Sequence, residues 1–170
     1  MPSFHVRPIP TEIVSEARQT RRSPGYGHPA HVELATGYGP CRACLRTFVV
    51  EKESRLLFTY NPFNGVDPYP SPGPVFVHEE ECAPFAENSV FPKDLRALPL
   101  VLEGYGRDRW IIARERPLPE QIEAAIERLF GNRAVEYMHV RNFEAGCFIA
   151  AVERDSSLSS TKRCAILGNK

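Results

Sequence analysis

The sequence predicts a mixed α+β domain: a mostly antiparallel sheet, one main amphipathic helix over about residues 119–130, and long proline-rich loops. Three observations carry this. From Phe48 onward, short apolar runs broken by turn residues recur, which is the texture of strands. One stretch instead keeps a helical period, with Ile122, Ala125, Ile126 and Leu129 at i, i+3, i+4 and i+7. The resulting order, four strands, a helix and two more strands, favours an antiparallel sheet with a helix on one face over a βαβ repeat.

Taken in order, the first forty residues offer one short helix. Thr11 reads as its cap, Ile13, Val14 and Ala17 fall at helical spacing to about Arg18, and Thr20-Arg21-Arg22-Ser23-Pro24-Gly25 ends it. The glycine- and proline-rich chain from there to Pro40 reads as loop. Arg55-Leu56-Leu57-Phe58-Thr59-Tyr60 and Val75-Phe76-Val77-His78 read as strands. Between them, residues 61–74 hold Pro62, Pro68, Pro70, Pro72 and Pro74, a loop stiff enough to be the rim of a site or a rigid connector. Leu100-Val101-Leu102-Glu103 and Trp110-Ile111-Ile112-Ala113 flank Gly104-Tyr105-Gly106-Arg107-Asp108-Arg109, a hairpin with a glycine turn and Trp110 as a core anchor. In the main helix, Glu120 and Glu123 suit the positive end, Arg128 the negative end, and Gly131 a left-handed stop. Residues 135–141 and 147–154 form a second hairpin around Asn142-Phe143-Glu144-Ala145-Gly146. One domain over 1–154 and a loose serine-rich tail over 155–170 are expected.

Composition narrows the function classes. The 170 residues can bury roughly 70% of their extended surface, enough for a real core. Lys+Arg and Asp+Glu are both 21, so no net field recruits nucleic acid or an anionic membrane. No apolar run approaches the roughly 18 residues of a membrane span, and the first residues lack a basic region followed by an apolar stretch. A cytoplasmic protein with no membrane partner is expected, with homo-oligomerisation left open. Cys164-Ala165-Ile166-Leu167 has the form of a prenylation box, but Gly168-Asn169-Lys170 follow it and such a box must be terminal. Gly37-Tyr38-Gly39 lacks the third glycine and the helix of a phosphate loop. The five cysteines, an odd set without a secretory signal, suit free thiols or metal ligands better than disulfides.

Cys41-x2-Cys44 and the distant His78-x3-Cys82 carry the main chemistry. Two thiolates three positions apart grip one ion from a tight turn, and His78 with Cys82 can close a tetrahedron of the type zinc prefers. Leu45 stands where a zinc knuckle usually has glycine. A redox pair and unmetallated thiols remain alternative readings, the redox one weakened because Thr36-Gly37-Tyr38-Gly39-Pro40 is not the strand that precedes a thioredoxin-like pair. Arg42, Tyr60, Arg141, Asn142 and Cys147 are further pocket candidates. A rival enzyme reading lines one pocket with Cys41, Arg42, Tyr60, His78, Arg141 and Asn142, using a thiol nucleophile or a cation-held anionic substrate. His139 reads as a packed strand residue, His5, His28 and His31 as surface, and Glu79-Glu80-Glu81 as a solvated strand end.

Four segments together, Tyr38-Gly39-Pro40-Cys41-Arg42-Ala43-Cys44-Leu45, Leu56-Leu57-Phe58-Thr59-Tyr60-Asn61-Pro62-Phe63, Gly73-Pro74-Val75-Phe76-Val77-His78 and Arg141-Asn142-Phe143-Glu144-Ala145-Gly146-Cys147-Phe148-Ile149-Ala150, resemble the bacterial family called domain of unknown function 1203. The resemblance spans most of the chain and implies one domain in a bacterial cytosol. It brings no catalytic residues with it. The working expectation is a zinc-stabilised binding or regulatory module in which Cys41, Cys44, His78 and Cys82 converge under the 62–74 loop.

Overall fold

The computed structural model describes residues 4–37, 39–63, 71–86 and 89–155. Tyr38, the middle of the proline-rich loop (64–70, with Gly65, Pro68 and Pro70) and the tail from 156, with Cys164, lie outside the described residues. The strands are β1 (Phe4–Arg7), β2 (His31–Leu34), β3 (Ser54–Tyr60), β4 (Gly73–His78), β5 (Leu100–Tyr105), β6 (Ile111–Glu115), β7 (Tyr137–Asn142) and β8 (Phe148–Arg154). The helices are α1 (Thr11–Thr20) and α2 (Ile122–Gly131). The class is α+β, as expected, but the strands divide between two antiparallel sheets, one of five in the order β1-β8-β7-β5-β6 and one of three in the order β2-β3-β4.

Period-two alternation gives the five-stranded sheet two unlike faces. Leu100 and Leu102 of β5 and Met138 and Val140 of β7 meet Ile122, Ala125, Ile126, Leu129 and Phe130 of α2 in one core. The alternate residues, Glu103, Tyr105, Tyr137, His139 and Arg141, therefore stand on the other face. The β7/β8 register shifts at Val140/Arg141, where Val140 pairs with Ala150 and Arg141 with Phe148. This bulge places Ile149 and Ala150 in the α2 core and Phe148 in a second core. There, Phe148 joins Leu56, Phe58, Val75 and Val77 of the smaller sheet and Val14 and Ala17 of α1.

Several local expectations need correction. Trp110 is 73% exposed rather than a core anchor, because it sits at a hairpin tip ahead of the edge strand β6. The turn itself uses no left-handed glycine; Arg109, at φ 68, takes that conformation. Gly104 is instead a β5 residue, and a Cβ added there would lie 2.9 Å from Val135 Cγ1. Gly131 is the last residue of α2 with no positive φ, and the helix is closed by Asn132 N–H donating to Leu129 O at 3.2 Å. Thr11 is the first helical residue of α1 and makes no capping hydrogen bond; Pro10, at φ −53, occupies the cap. The glycine- and proline-rich segment read as loop contains β2, and β1 stands ahead of the one helix expected in the first forty residues. Among the described residues, no helix is long and apolar enough to cross a membrane.

Candidate functional site

The segment after β2 is wound tightly. Cys41 N–H donates to Arg46 O at 2.9 Å, Leu45 N–H to Cys41 O at 2.8 Å, and Pro40 forms an isolated bridge with Thr47. Leu45 adopts the left-handed conformation, φ 57, that a knuckle ordinarily gives to glycine. Its side chain is buried in the α2 core, while Cys41 and Cys44 belong to the other core. Arg42 N–H bonds Phe76 O at 2.9 Å, which fixes this turn against β4 and so against His78 at the end of that strand.

The four residues picked out by spacing come together. One ligand atom from each of Cys41, Cys44, His78 and Cys82 lies within 4.8 Å of all the others. Cys41 Sγ is 3.9 Å from Cys82 Sγ, and Cys44 Sγ is 3.5 Å from His78 Nδ1. A tetrahedral zinc ion with ordinary bond lengths spaces its ligands about 3.8 Å (S to S) and about 3.5 Å (S to N). The donor set and its spacing fit such an ion.

Residues around the cluster complete it. His78 Nε2, the ring nitrogen turned from Cys44, lies 3.2 Å from Glu53 Oε2, which also accepts from Val49 N–H at 2.7 Å. That amide bond first, and His78 after it, hold the Glu53 carboxyl below its usual range. Arg18 of α1 donates from Nη2 to Cys82 Sγ at 3.3 Å and from Nε to His78 O at 3.1 Å, and His78 N–H donates to Cys41 Sγ at 3.3 Å. Phe48 shields the imidazole, ring centroids 4.7 Å apart.

Electrostatically the cluster favours shared negative charge. Hydrogen bonds from Cys41, then Cys82, push the Cys44 thiol well below its usual range, against the effect of burial. The same contacts with Cys44 and Cys82, and burial, push Cys41 up. Hydrogen bonding to Cys44 first, then Cys82, raises His78 to about 10. Sulfur that accepts this many donors is ready to ligate a cation. A cleft of about 380 Å³, lined by Arg46, Lys52, Glu53, Glu80 and Glu81 among others, reaches His78 and Cys82.

The remaining candidates are placed elsewhere. The described ends of the 62–74 loop do not cover the cluster: the loop enters β4 at Gly73, whereas His78 ends that strand, about 17 Å away at ~3.3 Å per residue. Pro62 and Pro72 instead line a separate cleft with Tyr60, Arg141 and Cys147. Asn142 closes the β7/β8 turn, its Oδ1 accepting from Glu144 and Ala145 N–H at 2.9 and 2.8 Å. Arg42 is buried and donates to Cys147 Sγ at 3.1 Å. The single pocket of the rival reading is therefore divided between two places. Glu53 and Arg18 were missed from sequence; Glu53 follows a Lys and precedes a strand, with only the later pairing of Arg55 with His78 to bring it near the ring.

Neither a search of curated proteins nor one of solved structures finds a match to this chain. A family model does: it covers residues 38–154, which contain all four clustered ligands, all but two of the eight strands and the whole of α2, and the chain therefore belongs to the family described as protein of unknown function, DUF1203.

Proposed function

We propose that Cys41, Cys44, His78 and Cys82 hold one zinc ion in a closed, structural site, and that the domain is a zinc-stabilised binding or regulatory module. The observation that carries this is the convergence of three sulfurs and Nδ1 within 4.8 Å, with a carboxylate on the far ring nitrogen. A histidine whose other nitrogen is fixed by a carboxylate is the usual outer-shell arrangement of zinc sites. Three thiolates and a neutral imidazole around Zn²⁺ leave one negative charge, and Arg18 at Cys82 and Arg46 at Cys44 supply cations against it. The ion would replace a larger core as the tie between the 40–47 turn and the end of β4. Four protein ligands fill the tetrahedron, which favours a structural role over catalysis at an open position. Free thiols at Cys41, Cys44, Cys82 and Cys147 suit a reducing compartment, the cytosol of a bacterium.

Metal analysis and melting test the proposal. Purified protein should carry about one zinc per chain, and a strong chelator should lower its melting temperature. Metal-free protein whose melting is indifferent to added zinc and to chelator would refute it.

A further inference from the structure

A second concentration of ionisable groups lies away from the cluster, on the face of the five-stranded sheet turned from α2. β5 and β7 set Glu103 opposite His139, with Arg141 two residues further along β7. Glu103, buried, accepts from Tyr105 Oη at 2.5 Å and Arg114 Nη2 at 2.6 Å, and pairs with Arg141 Nε at 3.0 Å. Arg141 Nη1 donates to Gly146 O at 3.1 Å and Nη2 to His139 Nδ1 at 3.2 Å. A guanidinium carries five N–H groups, so each Nη retains one further donor. Arg141 borders a cleft of about 160 Å³, whose wall also includes Tyr60, Pro62, Pro74, Cys147 and Phe148.

Behind the Cys147 wall stands Arg42, 3% exposed. Its Nε donates to Phe148 O at 2.8 Å, its Nη1 to Pro40 O at 2.7 Å, and its Nη2 to Cys147 Sγ at 3.1 Å. Among the described residues no carboxylate pairs with it. Arginine keeps its charge when buried, and a buried charge facing only neutral carbonyls is costly. Among the described residues, the group hydrogen-bonded to it that can carry opposite charge is the sulfur at the cleft. Arg141 is only partly neutralised, because the single Glu103 carboxylate also serves Arg114. His139 adds no charge, burial and then Arg141 lowering it to about 3. A thiol bonded to the Arg42 guanidinium thus lines a small cleft that Arg141 also lines.

We propose that this cleft receives a small carboxylate-bearing electrophile, with Cys147 as nucleophile and the Arg141 guanidinium binding the carboxylate. Cys147 Sγ forms a bond to the electrophilic carbon, the leaving group departs with its electron pair, and the thiol proton passes to water. The reacting thiol and Arg141 lie outside the zinc ligands, so iodoacetate selectivity at Cys147 and zinc content are read separately, although Arg42 belongs to the 40–47 turn.

Iodoacetate and iodoacetamide test it, since they share reactive carbon and leaving group and differ in charge. Alkylation rates at Cys147 are read by peptide mass spectrometry on the full chain, with glutathione as the free-thiol reference. The iodoacetate-to-iodoacetamide rate ratio at Cys147 should exceed that of glutathione about tenfold at low salt and fall toward it as salt is added. Arg141→Gln should lower the ratio several-fold, and Cys147→Ser should abolish the adduct. A wild-type ratio equal to that of glutathione, or one indifferent to salt, overturns the proposal. So does an unchanged ratio in a folded Arg141→Gln protein. Should that variant fail to fold, the salt series on the wild-type chain decides alone.

Discussion

Glu53 Oε2 lies 3.2 Å from His78 Nε2 on the side of the ring away from Cys44, so the carboxylate fixes which nitrogen faces the sulfurs. Glu53→Gln keeps the shape and weakens that hold. Zinc affinity, measured by competition with a chromophoric chelator, should fall about 10- to 100-fold with the zinc-loaded fold intact by circular dichroism. An unchanged affinity would detach Glu53 from the centre.

Leu45 combines a left-handed backbone with a buried side chain. Leu45→Gly relieves about 1 kcal/mol of backbone strain, but empties a core position, a change that costs about 2–5 kcal/mol when leucine becomes alanine. Packing wins. The variant should be less stable by about 2 kcal/mol in urea melts, and a stabilised variant would show that the strain dominates.

Gly104 has no room for a methyl group: its Cβ would meet Val135 Cγ1 at 2.9 Å and Cγ2 at 3.1 Å. Gly104→Ala should cost about 1–3 kcal/mol. Adding Val135→Ala clears the contact, so the double variant should be more stable than the sum of the two single losses. Strict additivity would place the strain elsewhere.

His139 is held to about 3 by burial and then by Arg141, against an ordinary value near 6.5. The unfolded chain takes up a proton that the folded state refuses. The contribution is therefore complete above about pH 6.5 and is lost as pH falls from there toward 3, on the order of 4–5 kcal/mol at the acid end. His139→Gln, which still offers Arg141 an acceptor, should be the less acid-sensitive protein. Its stability relative to wild type should improve by about 2 kcal/mol between pH 8 and pH 5; a constant difference would remove His139 from the acid response.

What could be read from sequence was whatever is local. The residues of the pairs Cys41/Cys44 and His78/Cys82 stand three and four positions apart, and the period of Ile122, Ala125, Ile126 and Leu129 is visible without knowing what they cover. His139 was placed inside by the alternation of its strand, and it is 1% exposed. β1 escaped notice because four residues, Phe4–Arg7, are too few for alternation to stand out. β2 escaped because it exposes Val32 and Leu34, so its apolar residues mark no buried face. Trp110 shows the converse, an aromatic in a strand pattern that is left 73% exposed. The partners of the site, Glu53 and Arg18, arrive through strand register and helix packing, and no spacing in the chain announces them.

Arg18 stands ahead of the stretch the family model covers, yet it touches both the Cys82 sulfur and the His78 carbonyl. The seating of α1 and any ion held by the cluster would thereby be joined, and such coupling runs equally in both directions. If the proposed zinc site is right, a fragment trimmed to the family boundary would keep every ligand and still hold zinc less tightly, because the counter-charge would have left with α1.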